Sequence, residues 1–334
     1  MSRQVLTQDP TAAGKSPRHT SRASRFKQQL FRGLYWLLRH VPSWLFSLAV
    51  NLLIGFARLL YWLPGNPVRK AAGDVCTLAA RAGHRHDPGS VYRQLADQIG
   101  MALKGFFAVY CGGVEANLHR AAIDPQSLAT IRRCLEEYQG VILTVPHHPG
   151  GVFSAFRLNY EVPTFILTRQ DPRDEAKSAM HRDMFDHLGV EMLMAKGATP
   201  RQVFRTCVEG ARQGKAVVFS VDNIHTGRKA FTREIVFGEE VQFGTWAARL
   251  ARQAGVPILP VYVGQRDAAF LVQAGEPLIV KRPEEGVRHY LAYFEERILA
   301  DPGSWIHLLD RKWRRVLSAA ASRTPGSKLN DVSK

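Results

Sequence analysis

The sequence is short of acid. Against 45 Lys and Arg stand only 29 Asp and Glu, a formal charge of +16 over 334 residues. That balance disfavours cationic partners and favours anionic ones: nucleic acid, an acidic membrane surface, or acidic carriers and substrates. Other absences narrow the choice. There is no zinc-finger spacing, no RNA-binding aromatic signature and no solid Lys/Arg block, so nucleic acid fares poorly. The basic residues are interleaved with long apolar stretches instead, which suits a membrane. Only four cysteines occur, Cys76, Cys111, Cys134 and Cys207. None forms a C-x-x-C pair, so neither a zinc site nor a disulfide framework is expected, and the thiols read as reduced and buried in a cytosol-facing protein. No metal is expected. The G-x-S-x-G turn of α/β hydrolases is also missing. No apolar core with a cleavage site follows the N-terminus as in a signal peptide, and no internal repeat is visible.

Residues 1–26 are polar and basic and read as a disordered tail. Its Arg3, Lys15, Arg18, Arg22 and Arg25 would hold it on the cytoplasmic side of a bacterial membrane. Residues 27–64 contain the most apolar part of the chain, divided at Pro42. From Pro42 to Pro64 the length is close to the roughly 20 residues that cross a bilayer. Tyr35, Trp36, Trp44, Tyr61 and Trp62 cluster around the edges, as interfacial aromatics do. A spanning helix, a helix lying in the interface and a buried helix are all open at this point. Residues 65–90 read as a connector with one short helix. Helical spacing follows at 91–110 and 126–138.

From 141 the pattern changes. Short apolar runs at 141–146, 163–168, 190–194, 216–221 and 258–263 alternate with helical segments at 174–188, 200–213 and 245–254. That alternation predicts an α/β domain over residues 65–320, with a mostly parallel central sheet flanked by helices; 321–334 read as a flexible tail. Ligands bind beyond the carboxyl ends of such strands. Three loops follow strands directly and are expected to share one rim: His147–Gly151, Arg169–Asp174 and Asp222–Gly227.

The first of these lies in "TVPHHPGGVF", residues 144–153. A histidine there can serve as a general base near neutral pH. Gly150 and Gly151 permit close approach of a substrate, and their N–H groups could face an oxyanion. Yet no carboxylate follows to orient an imidazole. Asp222 reads either as an Asx turn or as a residue that orients a histidine or holds a substrate hydroxyl, with Asn223 beside it as a substrate contact. Arg169 at a strand end could hold an anionic group. His225 is a further candidate for proton transfer.

Together the blocks "GVILTVPHHPGGVF", "LTRQDPRDE", "AVVFSVDN", "IVFGEEVQFGTWAARLARQAGVPILPVYV" and "DPGSWIHLLDRKWRR" resemble the late acyltransferases of lipid A biosynthesis, within the glycerolipid-acyltransferase-like superfamily. The resemblance covers roughly residues 30–317. It implies transfer of a fatty acyl chain from an acyl carrier protein or coenzyme A thioester to a hydroxyl of a membrane glycolipid, without a cofactor. It also implies the cytoplasmic face of a bacterial inner membrane. In the family a histidine deprotonates the hydroxyl, and an acid five positions later orients it. Aligning the family's glycine with Gly150 makes His148 the base and puts Phe153 where the acid belongs; the frame on His147 puts Val152 there. Three expectations follow. Asp222 replaces the acid from another loop, or the two histidines assist each other, or the fold binds lipid or carrier protein without catalysis. The leading assignment is an acyltransferase acting on a hydroxyl or an amine of a lipid or glycolipid, with His148 as base, His147 assisting, and Asp222 as the compensating acid. Arg169, Gly150, Gly151 and Asn223 are assigned to the substrate.

Overall fold

The computed structural model describes residues 41–168, 189, 191–194, 199–225 and 231–323. The basic tail, the aromatic pair Tyr35 and Trp36, the helix expected at 174–188, and Arg169 lie outside the described residues.

The architecture is mixed α/β. Helices α1 (Ser43–Leu59), α2 (Pro67–Arg81) and α3 (Pro88–Gly112) come first, followed by a short strand β1 (Ala121–Ile123) and helix α4 (Pro125–Tyr138). Then follow β2 (Val141–Val145), α5 (Gly151–Glu161), β3 (Thr164–Thr168), β4 (Glu191–Met194), α6 (Pro200–Arg212) and β5 (Ala216–Ser220). The hairpin β6 (Phe231–Val236) and β7 (Glu239–Gly244) precedes α7 (Trp246–Ala254), β8 (Ile258–Arg266), β9 (Ala269–Ala274), α8 (Pro283–Ala300) and α9 (Arg311–Ser322). Seven strands form one sheet in the order β1-β9-β8-β2-β5-β3-β4. The five from β8 to β4 are parallel, and β9 turns back antiparallel to β8.

The five expected strands are all present, and their composition explains why. Alternate residues of each central strand face opposite layers. Ile142, Val217, Phe219, Ile258 and Tyr262 enter one core, whereas Val141, Leu143, Ala216, Val218, Leu259 and Val261 enter the other. A strand buried on both faces needs an unbroken apolar run, and that is the pattern the sequence shows. The segment read as a connector behaves differently. It forms α2, with Asn66 as its cap, and Ala71, Ala72, Val75 and Ala79 lie in the main core. Its small residues let neighbouring helices approach closely, so the apolar stripe is thin and easily overlooked.

Helix α1 packs along α3. Val50 is its one buried residue, Phe46 stacks on Phe107 at 4.2 Å, and Ile54 sits against Gly100. Arg58 pairs with Asp97 at 2.5 Å, and Lys104 donates to Asn51. The opposite face exposes Trp44, Leu48, Leu52, Leu53, Phe56 and Leu59. The stretch Ser43–Trp62 is long and apolar enough to cross a membrane by length and composition.

The Gly100 contact sets the seat of α1. A Cβ there would lie 2.7 Å from Ile54 Cγ1. Gly100→Leu should therefore lift α1 from α3, at a cost of about 1–3 kcal/mol. Hydrogen exchange should accelerate in 43–59 and stay unchanged in the sheet. Unchanged protection of α1 would show that other contacts hold it.

Candidate functional site

Parallel register builds the site. Strands β2 and β5 are neighbours, and Val145 is paired with Ser220. One further rung follows, from Val221 N–H to Val145 O at 3.2 Å. His147 and Asp222 each stand two residues beyond that Val145–Ser220 pair. Adjacent strands lie about 4.8 Å apart, so the two side chains meet across the strand ends.

They meet through two bonds. The His147 Nδ1 is hydrogen-bonded to Asp222 Oδ1, and the His147 backbone N–H donates to Oδ2 at 2.9 Å. Trp305 Nε1 donates to the same Oδ2 at 3.0 Å. His307 Nε2 lies 3.3 Å from Oδ2. Trp313 Nε1 donates to the backbone carbonyl of Asp222 at 2.8 Å. His147 is held on its other side as well, since its carbonyl accepts from Ile306 N–H at 3.3 Å.

Electrostatics follow from this geometry. Burial would raise the Asp222 carboxyl, but the hydrogen bonds and charges of His147 and His307 outweigh it and hold the pKa well below the usual carboxylate range. Burial pulls the His147 imidazole down, yet the bond and charge of Asp222, with Asp310 further off, outweigh it and raise the pKa above its ordinary 6.5. With Nδ1 turned to a carboxylate, the proton belongs there and Nε2 keeps its lone pair. The His147 side chain is 36% exposed.

His148 has a different environment. Its Nδ1 accepts from Gly150 N–H at 2.8 Å, and its Nε2 is buried without a partner. Its ring stands perpendicular to Phe270 at 5.4 Å. Burial pushes its pKa down to about 3. The carboxylate expected beside a histidine is thus beside His147, not beside His148, where the family frame puts the base. Phe153, at the frame's acid position, is buried against Phe156 and Phe270. The void beside it measures about 10 Å³, too small for an acyl chain.

The two glycines also differ from expectation. Gly150 N–H goes to His148 Nδ1, and Gly151 N–H goes to His148 O at 3.0 Å. Neither is free for an oxyanion. Gly150 is required for another reason, since a Cβ there would sit 2.5 Å from the Phe270 ring. Asn223 is exposed at the rim. His225 stacks on Phe231 of the hairpin at 4.9 Å, and its backbone N–H bonds Gln242 O.

Sequence reasoning missed Trp305, His307 and Trp313 as site residues. Their segment was visible only as part of the family-like ending. The signal within it was two tryptophans and a histidine in nine residues, each with a ring N–H that must find an acceptor when buried. They are braced by the hairpin turn. Phe237, at φ 54°, precedes Gly238 in a two-residue turn of the type that favours left-handed backbone. Its ring lies 5.8 Å from Trp305 and 6.0 Å from Trp313.

The ligating atoms of His147, Asp222 and His307 fall within 4.8 Å of one another, and among the described residues this is the group that could hold a metal ion. The donors already aimed at the Asp222 oxygens fit a hydrogen-bonded relay better than coordination. Both oxygens are engaged by N–H groups, and an ion would have to displace the Nδ1 proton.

Buried neutral His148 predicts a stability signature. Its folded pKa is depressed, so the unfolded chain binds the extra proton first as pH falls below about 6.5. Folding stability should then drop toward pH 3 by up to ~1.4 kcal/mol per unit from this group. His148→Asn keeps an acceptor for Gly150 and removes the titration, so its unfolding free energy should fall less steeply than wild type between pH 6 and 4. Equal slopes would place His148 in contact with solvent. Phe153→Glu, which restores the family's acid, should destabilise by several kcal/mol by burying a carboxylate without a partner, with no gain in any activity.

A family model for bacterial lipid A biosynthesis acyltransferases matches residues 84–315. The match begins after α2, so the exposed apolar helix lies outside it. Comparison with curated proteins gave no match. The matched stretch spans the sheet, both histidines, Asp222 and the two tryptophans, and the chain belongs to the bacterial lipid A biosynthesis acyltransferase family.

Proposed function

We propose that the protein transfers a fatty acyl group from a thioester donor to a hydroxyl of a lipid or glycolipid at the cytoplasmic face of a bacterial inner membrane, with His147 as the base. The observation that carries this is the His147–Asp222 pair. His147 Nε2 takes the proton of the acceptor hydroxyl as its oxygen attacks the thioester carbonyl. Asp222 keeps Nδ1 protonated, stabilises the imidazolium and fixes the ring. Collapse of the tetrahedral intermediate breaks the C–S bond, and the imidazolium returns the proton to the departing thiolate. The products are an ester and a free thiol, and no cofactor enters.

His148 then acts in the fold, bridging the turn into α5. The donor is an acyl carrier protein or coenzyme A thioester, and the basic surface suits either. A second reading, a lipid- or carrier-binding protein without catalysis, rests on Phe153 in the family's acid position and on the small void beside it. The reach of Asp222 to a half-exposed histidine favours the enzyme.

The exposed face of α1 supports membrane contact, and its seat supports a helix lying in the interface. Helix α3, to which it is bound, carries Arg93, Asp97 and Lys104, and charges at these positions would be costly in the hydrocarbon core.

Lipid mass spectrometry tests the base. Cells of a host lacking the native gene would express wild type, His147→Ala, His148→Asn or Asp222→Asn. A lipid with one added acyl chain should appear with wild type and His148→Asn. It should vanish with His147→Ala, and Asp222→Asn should reduce the rate by about 10³–10⁴-fold, by analogy with hydrolase triads. Loss with His148→Asn and retention with His147→Ala would return the base to His148. In vitro, kcat/KM should rise with pH through the raised His147 pKa, above 6.5. The residual activity of Asp222→Asn should have that limb at lower pH, because the carboxylate no longer holds the imidazolium.

A further inference from the structure

Beside the catalytic rim, helices α2 and α9 enclose a cleft of about 270 Å³. Lys70 and Asp74 line it from α2, and Arg311, Arg314 and Arg315 from α9. The two helices run side by side in the same direction. Arg81, at the end of α2, donates to the carbonyls of Ala320, Ala321 and Arg323 at the end of α9. The cleft therefore lies toward both N-terminal ends, and the arginines stand on one face of α9 at i, i+3 and i+4.

Arg58, Arg132, Arg205 and Arg233 each pair with a carboxylate; the arginines of this cleft are gathered without one. Among the described residues the Arg311 and Arg315 side chains make no ion pair or hydrogen bond. Arg314 spends one nitrogen on the Leu309 carbonyl. Asp74 is the single acid against four cations in the lining. Like charges gathered in a concave site repel one another until an anion enters, and guanidinium forks match phosphate oxygens.

The neighbouring surface says which anion. Leu59, Trp62 and Leu63 immediately precede α2 and are exposed, Trp62 to 73%. They are fixed next to the cleft. Asn66 Nδ2 holds the Leu60 carbonyl at 2.7 Å, and the Arg69 guanidinium lies 5.0 Å over the Tyr61 ring. A ligand that is anionic at one end and apolar beside it fits both features. An acidic protein helix would use the cations but leave Trp62 and Leu63 in water. We propose that the α2–α9 cleft seats the phosphate headgroup of an anionic membrane lipid, whose acyl chains lie beside the end of α1. The proposal rests on the reading of α1 as a membrane-surface helix and adds a headgroup site to it.

Vesicle flotation of the full chain tests both separately, because it needs no acyl transfer. The vesicles are phosphatidylcholine alone, or phosphatidylcholine with phosphatidylglycerol. Wild type should bind both and prefer the second. Arg311→Gln/Arg315→Gln should bind neutral vesicles as wild type does, with its affinity for the anionic ones reduced roughly tenfold or more. Leu52→Ser/Phe56→Ser should weaken both. A retained preference in the arginine variant, with an unchanged melting temperature, overturns the site. So does a wild-type preference abolished by millimolar inorganic phosphate, which would mark a small-anion site. If the arginine variant loses binding to acyl carrier protein but keeps its lipid preference, the cleft is a carrier site and the proposal fails. Binding to neutral vesicles with no gain from phosphatidylglycerol removes the cleft and leaves α1 at the membrane; no binding to either removes both.

Discussion

The structure turns on one buried carboxylate. Asp222 sits fully inside the protein, and its carboxylate remains ionised because the backbone N–H and ring Nδ1 of His147 and the ring N–H of Trp305 meet its oxygens, with His307 alongside. An isolated carboxylate moved from water to the interior is strongly disfavoured, and it stays charged only when its oxygens are satisfied. The requirement explains why the C-terminal segment folds back over the sheet. Trp305 places its ring N–H on the Asp222 carboxylate and Trp313 on its backbone carbonyl, and Phe237 of the hairpin turn packs against both rings. Removing any one donor leaves a partly satisfied charge, so the segments are coupled although they are far apart in sequence.

The same constraint separates two adjacent histidines that look alike. One imidazole gains a carboxylate and a solvent-exposed edge. Its neighbour is turned into the fold beneath Phe270, where burial keeps it neutral. Chemistry at the rim therefore depends on which residue stands two places past the last paired rung, a matter of strand register rather than of residue type.

That distinction marks what was legible. The parallel sheet could be read because strands buried on both faces need unbroken apolar runs, and the runs at 141, 163, 190, 216 and 258 supplied them. Asp222 could be named as the compensating acid because it follows such a run. Its partner could not be chosen, because His147 and His148 differ by one position and register is invisible in a single sequence. Matching the family's glycine to Gly150 makes His148 the base, and that glycine is also required by the Phe270 ring, which leaves no room for a Cβ. His307 and the tryptophans were out of reach because their acceptor lies more than 80 residues away. The hairpin, β1, β9, α5 and α8 were not assigned; the short strands lack a clean apolar alternation, whereas α8 does carry a helical stripe of Val287, Tyr290, Leu291, Phe294 and Ile298. The segment at 65–90 reads as a connector because its stripe is alanine.

The account's central claim is the division of labour between the two histidines. Its most direct test is a pH titration of the histidine side-chain nitrogens by ¹⁵N NMR, with assignments from His147→Ala and His148→Asn. The account predicts that His147 carries its proton on Nδ1 when neutral and titrates above 6.5, and that Asp222→Asn lowers this value. It also predicts that His148 stays neutral, protonated on Nε2, down to acid pH. A His148 signal that titrates near or above 6.5 and responds to Asp222→Asn, with His147 indifferent to it, would contradict the account.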